Sequence, residues 1–122
     1  MMFQGLRTVV YKVTDIAQAK EWYSRALGIE PYYDQPYYVG FSVGGFELGL
    51  DPDVSSTPPG PGGAVAYWGV ADIDSAIKHL EAVGATRQGS IADVGDGIRL
   101  AVLGDPFGNL FGVIQNPNFK AD

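Results

Sequence analysis

VVYKVTDIAQA at residues 9–19 returns as AYWGVADIDSA at residues 66–76, a displacement of 57 residues. Val13, Asp15, Ile16 and Ala19 recur as Val70, Asp72, Ile73 and Ala76. A second echo closes each half: GFELGL, from Gly45 to Leu50, matches GNLFGV, from Gly108 to Val113, at a displacement of 63. Gly45 and Gly49 recur there as Gly108 and Gly112. Halves that share a beginning and an end are copies of one supersecondary unit. Between them, DPDVSSTPPGPGG at residues 51–63 mixes proline with glycine and has no hydrophobic period, which is the composition of a linker. The chain thus reads as a single domain over residues 1–122, with module one at 1–51, a linker at 52–63 and module two at 64–122.

Each half can be read as a series of elements. Val9, Tyr11 and Val13 alternate with Thr8, Val10 and Lys12, the period of two of a half-buried strand. The Asp15 carboxylate can accept from the free amides of a helix's first turn. Ile16, Ala19, Tyr23, Ala26 and Leu27 then form an apolar stripe that ends at Gly28, a residue suited to a helix C-terminus. Strands are expected near Glu30–Asp34, Tyr37–Val43 and Phe46–Asp51, the last two joined by a tight turn at Gly44-Gly45. Module two repeats the order: a strand over Ala64–Val70, a helix over Asp72–Val83 bounded by Asp72 and Gly84, and strands near Thr86–Val94, Ile98–Gly104 and Asn109–Gln115. The reading is α+β, two tandem βαβββ modules.

A helix covers one face of such a module, so two facing modules would enclose a concavity. In the Gly44-Gly45 hairpin, Val39, Phe41, Val43, Phe46, Leu48 and Leu50 share the helix side. Tyr38, Gly40, Ser42, Glu47, Gly49 and Asp51 share the other. The same alternation turns Thr8, Val10 and Lys12 to the concavity, with Val65, Tyr67 and Gly69 in the repeat, and Arg99, Ala101, Leu110, Gly112 and Ile114 completing it. Polar, small and aromatic groups on one face against aliphatics on the other describe a binding surface.

Composition removes many alternatives. Eight basic against fourteen acidic side chains give a formal charge of −6, which opposes a phosphate backbone, so nucleic acid is not an expected partner. No cysteine exists and histidine occurs once, which excludes disulfides, thiolate nucleophiles, iron–sulfur clusters and multi-histidine metal sites. The N-terminal MMFQGLRTVVYKV lacks the pattern of a signal peptide, and no run approaches the ~18 apolar residues of a membrane helix. A cytoplasmic protein without a membrane partner is the expectation.

The paired modules, VYKVTDI and VADIDSA, the helix end EWYSRALG and DPFGN before the last strand resemble the vicinal oxygen chelate superfamily, the glyoxalase, bleomycin-resistance and extradiol-dioxygenase group. The resemblance runs from about Leu6 to Asn116. It implies a cup-shaped eight-stranded mixed sheet with helices on its outer face, often completed by dimerisation. It also implies a divalent metal held by His, Gln or Glu on the first and last strand of each module. Those positions fall here on Thr8, Gly49, Val65 and Gly112. A divalent ion needs three or four N or O donors, and this set offers one hydroxyl, so no metal and no other cofactor is expected.

The sequence therefore points to a metal-free, homodimeric protein that binds a small organic molecule between its modules, as a sequestering or antibiotic-resistance-type protein does. The alternative is a lyase, isomerase or dioxygenase of the same superfamily with an atypical site. The candidate ligand-binding residues are Thr8, Val10, Lys12, Tyr38, Ser42, Glu47, Gly49, Val65, Tyr67, Arg99 and Gly112. Glu47 is the one candidate general base, a role it could take if burial raised its pKa, although no second carboxylate or histidine stands beside it. Glycine at 49 and 112 reads either as room for the ligand or as relief of strand coiling or a bulge. Tyr32, Tyr33 and Tyr37 read equally as packing or as a stacking surface, while Trp68 faces the helix and His79 lies off the apolar stripe.

Overall fold

A computed structural model describes residues 2–107 and 109–118. Gly108, which the repeat pairs with Gly45, lies outside the described residues. Two compact units emerge, unit one from residue 8 to 65, and unit two comprising, among the described residues, 2–7, 66–107 and 109–118. Strand β1 (Phe3–Lys12) contributes to both, its first residues to unit two and the rest, from Thr8, to unit one. The α+β class holds in each.

Unit one continues with helix α1 (Ile16–Leu27), then β2 (Tyr33–Gln35), β3 (Tyr38–Val43) and β4 (Phe46–Asp51). Its strands lie in the order β2-β3-β4-β1, antiparallel except for the parallel pair β4–β1. Asp15 caps α1 by accepting from the Gln18 amide at 3.0 Å, and Gly28 ends it in the left-handed conformation, its N–H donating to the Ser24 carbonyl. Gly44 and Gly45 both have positive φ, as a two-residue hairpin turn of the primed type requires, and this turn fixes Phe41 opposite Leu48 and Val39 opposite Leu50. Val39, Phe41 and Leu50 form the buried core of the unit, with Ile16, Ala19 and Tyr23 of α1 packed on it. The expected division of the hairpin into two faces is the one found.

Strand β5 (Val65–Val70) starts on the last residue of unit one and otherwise belongs to unit two, which continues with α2 (Ile73–Ala82), β6 (Thr86–Arg87), β7 (Ala92–Gly95), β8 (Ile98–Gly104) and β9 (Leu110–Gln115). The order β5-β9-β8-β6 has a parallel β5–β9 pair, and β7 also pairs with β8. The strand expected over Thr86–Val94 is thus split into β6 and β7 by residues 88–91, which brings the described strands to nine. Asp72 caps α2, accepting from the amides of Asp74 and Ser75 and from the Ser75 hydroxyl. At the other end, Gly84 donates to the Glu81 carbonyl and Ala85 to that of Leu80, a Schellman closure around a positive-φ glycine. Ile73, Ala76, Ile77 and Leu80 of α2 are buried against Ala101, Leu103 and Val113. Phe3 meets Trp68 and Phe111 edge-on beside this core, and Trp68 stacks on Phe111.

Candidate functional site

The face of unit one turned away from α1 is built in rows that cross β1, β4 and β3. Thr8, Glu47 and Ser42 make one row, and Val10, Gly49 and Gly40 the next. Lys12 and Asp51 begin a third, joined by an ion pair at 2.9 Å. Strand period places Glu47 on this face, and its neighbours then determine its chemistry. Gly49 and Gly40 lie opposite each other and leave the sheet bare, so aromatic rings can lie flat on it. A Cβ at Gly49 would overlap the Tyr38 phenol. One at Gly40 would come within 3.2 Å of both the Tyr32 ring and a Glu47 oxygen.

The two tyrosines converge on the carboxylate. Tyr32 donates its phenol proton to Oε1 of Glu47 and Tyr38 donates to Oε2. Tyr33 and Tyr37 extend the array: their hydroxyls share a hydrogen bond, and the Tyr33 ring lies 6.2 Å from those of both Tyr37 and Tyr38. Covered by these rings, the Glu47 carboxyl is desolvated, and burial pushes it up to about 7. None of the ion pairs among the described residues includes Glu47. A half-buried carboxyl that titrates near neutrality can take up or release a proton at working pH.

Of the expected site residues, Thr8, Val10, Tyr38, Ser42, Glu47 and Gly49 are assembled on this face, Thr8 and Val10 buried and Ser42 exposed. Lys12 is there too, but its ammonium is tied to Asp51. In unit two the Tyr67 ring lies across Gly112, its Cδ1 at 2.5 Å from where a Cβ would stand. The space that glycine leaves at 49 and 112 is filled by tyrosine rings. Val65 is a buried aliphatic.

Arg99, expected on the open face, lies instead on the helix side of unit two. The β8–β9 register sets Ala101 opposite Val113, and Val113 is in the core under α2, so Arg99 and Ala101 lie on the helix side. Arg99 there reaches Asp74 of α2 at 3.2 Å. Leu100 and Val102, opposite Ile114 and Gly112, hold the places on the other face that Arg99 and Ala101 were expected to take. Two residues were underrated. Tyr32 precedes β2, outside any alternation, yet its amide donates to the Gly40 carbonyl and so sets its ring over the face. The signal for it was the glycine pair. Arg7, whose side chain lies across Gly69, had no local signal.

The four positions at which the family resemblance implies a metal do not fit one. Two are glycines covered by tyrosine rings, one is a buried valine, and only Thr8 carries an oxygen. Among the described residues no group of three or more His, Asp or Glu side chains is placed to hold an ion. A depression of about 360 Å³ does exist in unit one, but it lies where Lys12, the α1 N-terminus at Asp15 and Pro59 meet.

Paired βαβββ modules with a polar, aromatic sheet face define the class of protein. The chain belongs to the glyoxalase/bleomycin resistance protein/dioxygenase superfamily, whose family model matches residues 5–113. Among solved structures it is similar to a methylmalonyl-CoA epimerase from Mycobacterium tuberculosis, at 22% identity over 94% of this chain and 89% of that one, with a TM-score of 0.72. A Streptomyces coelicolor methylmalonyl-CoA epimerase variant in complex with 2-nitronate-propionyl-CoA matches at 15% identity, 98% and 99% coverage and a TM-score of 0.76. A superfamily member from Vibrio splendidus matches at 20% identity, 91% and 99% coverage and a TM-score of 0.66. No curated protein sequence matches the chain. At these identities the solved structures establish the fold, and function has to be argued from the site.

Proposed function

We propose that this protein binds a small organic molecule without a metal, on the Glu47 face of unit one, and acts by sequestration in the manner of a resistance-type protein. The observation that carries this reading is the Glu47 carboxyl gripped by Tyr32 and Tyr38 over a floor of two glycines. Aromatic surface with one convergent polar group is the composition of a small-molecule seat. The donor-poor set at Thr8, Gly49, Val65 and Gly112 argues against metal-held ligands. The epimerase complex, in which a relative of this fold holds a CoA ester, supports an organic occupant. A homodimeric state and a cytoplasmic location belong to the same proposal. No helix among the described residues is long and apolar enough to cross a membrane.

Native mass spectrometry of gently purified protein tests this directly. The expected spectrum is a dimer without metal mass that carries an organic adduct, and the adduct is lost in Glu47→Gln. A stoichiometric divalent ion that a chelator removes would overturn the reading.

The near-neutral Glu47 carboxyl favours one second reading, an isomerase or lyase working by proton transfer. Under it, Glu47→Gln would keep the bound adduct and lose exchange of a ligand carbon-bound proton with deuterated solvent.

A further inference from the structure

The seat proposed above leaves the charge of its ligand open, and the distribution of ion pairs decides it. Residues 8–65 contain three cations, Lys12, Lys20 and Arg25, and seven carboxylates. Each cation already has a partner: Lys12 pairs with Asp51 at 2.9 Å, Lys20 with Asp34 at 3.0 Å and Arg25 with Glu21 at 3.7 Å. Glu47 is half-buried and enters no ion pair among the described residues, although buried charges are ordinarily paired.

An anion would meet that carboxylate with no unpaired cation among residues 8–65 to receive it, and the two phenol protons that touch Glu47 are already given away. A cation finds the opposite. A carboxylate has about four lone-pair sites, and Tyr32 and Tyr38 occupy two of them. A phenol that donates to a carboxylate also becomes richer in electrons, and the face of a tyrosine ring attracts a cation within about 6 Å. Tyr32 and Tyr37 are 62% and 63% exposed, so their rings are accessible from solvent beside Glu47.

We infer that the Glu47 face takes an organic cation, its ammonium group set against the carboxylate and its carbon skeleton lying on Tyr32, Tyr33, Tyr37 and Tyr38. The inference rests on the reading of this face as a ligand seat. Burial without a counter-charge, the condition that raises the Glu47 carboxyl, is the condition that such a ligand relieves.

Three probes of one shape and different charge test it: choline, the neutral 3,3-dimethylbutan-1-ol and the anionic 3,3-dimethylbutanoate, titrated against the full chain while tyrosine ring signals are followed by NMR. The expected result is choline binding at least tenfold more tightly than the alcohol, with the carboxylate producing no shift. Glu47→Gln should erase the preference, and Tyr37→Ala, which removes an exposed ring, should weaken choline several-fold without disturbing the fold. Equal or tighter binding of the alcohol or the carboxylate overturns the cation and leaves the small-molecule reading standing. A choline preference that survives in both variants, or the absence of shifts with all three probes, also overturns it. The adduct in the native mass spectrum judges the broader reading separately.

Discussion

Helices α1 and α2 come from the same repeat and share the same aspartate cap, yet α2 buries four side chains and α1 buries none completely. The reason lies in one position. Displaced by 57, Ile16, Ala19, Lys20 and Tyr23 of α1 correspond to Ile73, Ala76, Ile77 and Leu80 of α2. The second set is the i, i+3, i+4, i+7 stripe of a core helix. The first has an ammonium in its centre, and Lys20 reaches outward to Asp34 instead of inward. Among the described residues, the core cluster of unit two has eight buried residues and that of unit one has three. Trp22, Val43 and Phe46 are left exposed on the helix side of unit one. One copy of the module has been kept as a packed base, while the other carries the polar face with Glu47.

The largest test of this contrast compares its two central positions. Ile77 is 1% exposed, and Ile77→Ala should cost about 2 to 5 kcal/mol, the range for truncating a buried aliphatic. Lys20→Ala removes an exposed ion pair and should cost roughly 1 kcal/mol or less. Chemical denaturation of both variants measures the difference, and equal costs would sink the idea that unit two is the better-packed half.

A smaller effect separates the two repeated glycines. Gly112→Ala pushes a Cβ against the Tyr67 ring and to within 2.9 Å of the Ala66 carbonyl, which belongs to backbone and has little room to move. About 1 to 3 kcal/mol should be lost, as for other overpacked sites. At Gly49 the three nearest atoms all belong to the Tyr38 phenol, the end of a side chain that can swing away. Gly49→Ala should therefore cost less in thermal unfolding but disturb the Tyr38 signals of the ligand-free protein more.

How much of this was written in the sequence depends on how local the determinant is. The hairpin faces were legible because the Gly44-Gly45 turn fixes the register by itself, and one row is wholly apolar. Strand β8 misled because both of its rows look alike: Ile98, Leu100 and Val102 alternate with Arg99, Ala101 and Leu103. The arginine gave the second row the look of an open face, whereas its register with β9, set across the sheet, buries Ala101 and Leu103. The split of residues 86–94 into two strands likewise depends on where each pairs with β8. At the site, Glu47, Tyr38 and Gly49 followed from period alone. Tyr32 did not, since the hydrogen bond its amide donates to the Gly40 carbonyl, rather than its own alternation, brings it to the carboxylate.

Glu47 itself provides the subtlest comparison, because its repeat counterpart 63 residues later is Leu110, which has no charge to titrate. Its carboxyl is raised to about 7 in the fold, against an ordinary value of 4.5. Between those values the folded chain holds a proton that the unfolded chain has released. The contribution of this residue to stability therefore falls as pH rises from about 4.5 to 7, then levels off once both states are ionised. The fall traceable to this residue should be roughly 1 to 2 kcal/mol, less than the full shift implies because solvent still reaches a half-buried carboxyl. Glu47→Gln keeps the shape and removes the charge, so its stability should be flatter than that of the parent over this window and higher than it above pH 7. Denaturation curves at pH 4.5, 6 and 7.5 for the two proteins settle the matter. Parallel pH profiles would mean that the carboxyl is as well solvated in the fold as out of it, and that tyrosine contact rather than burial governs this face.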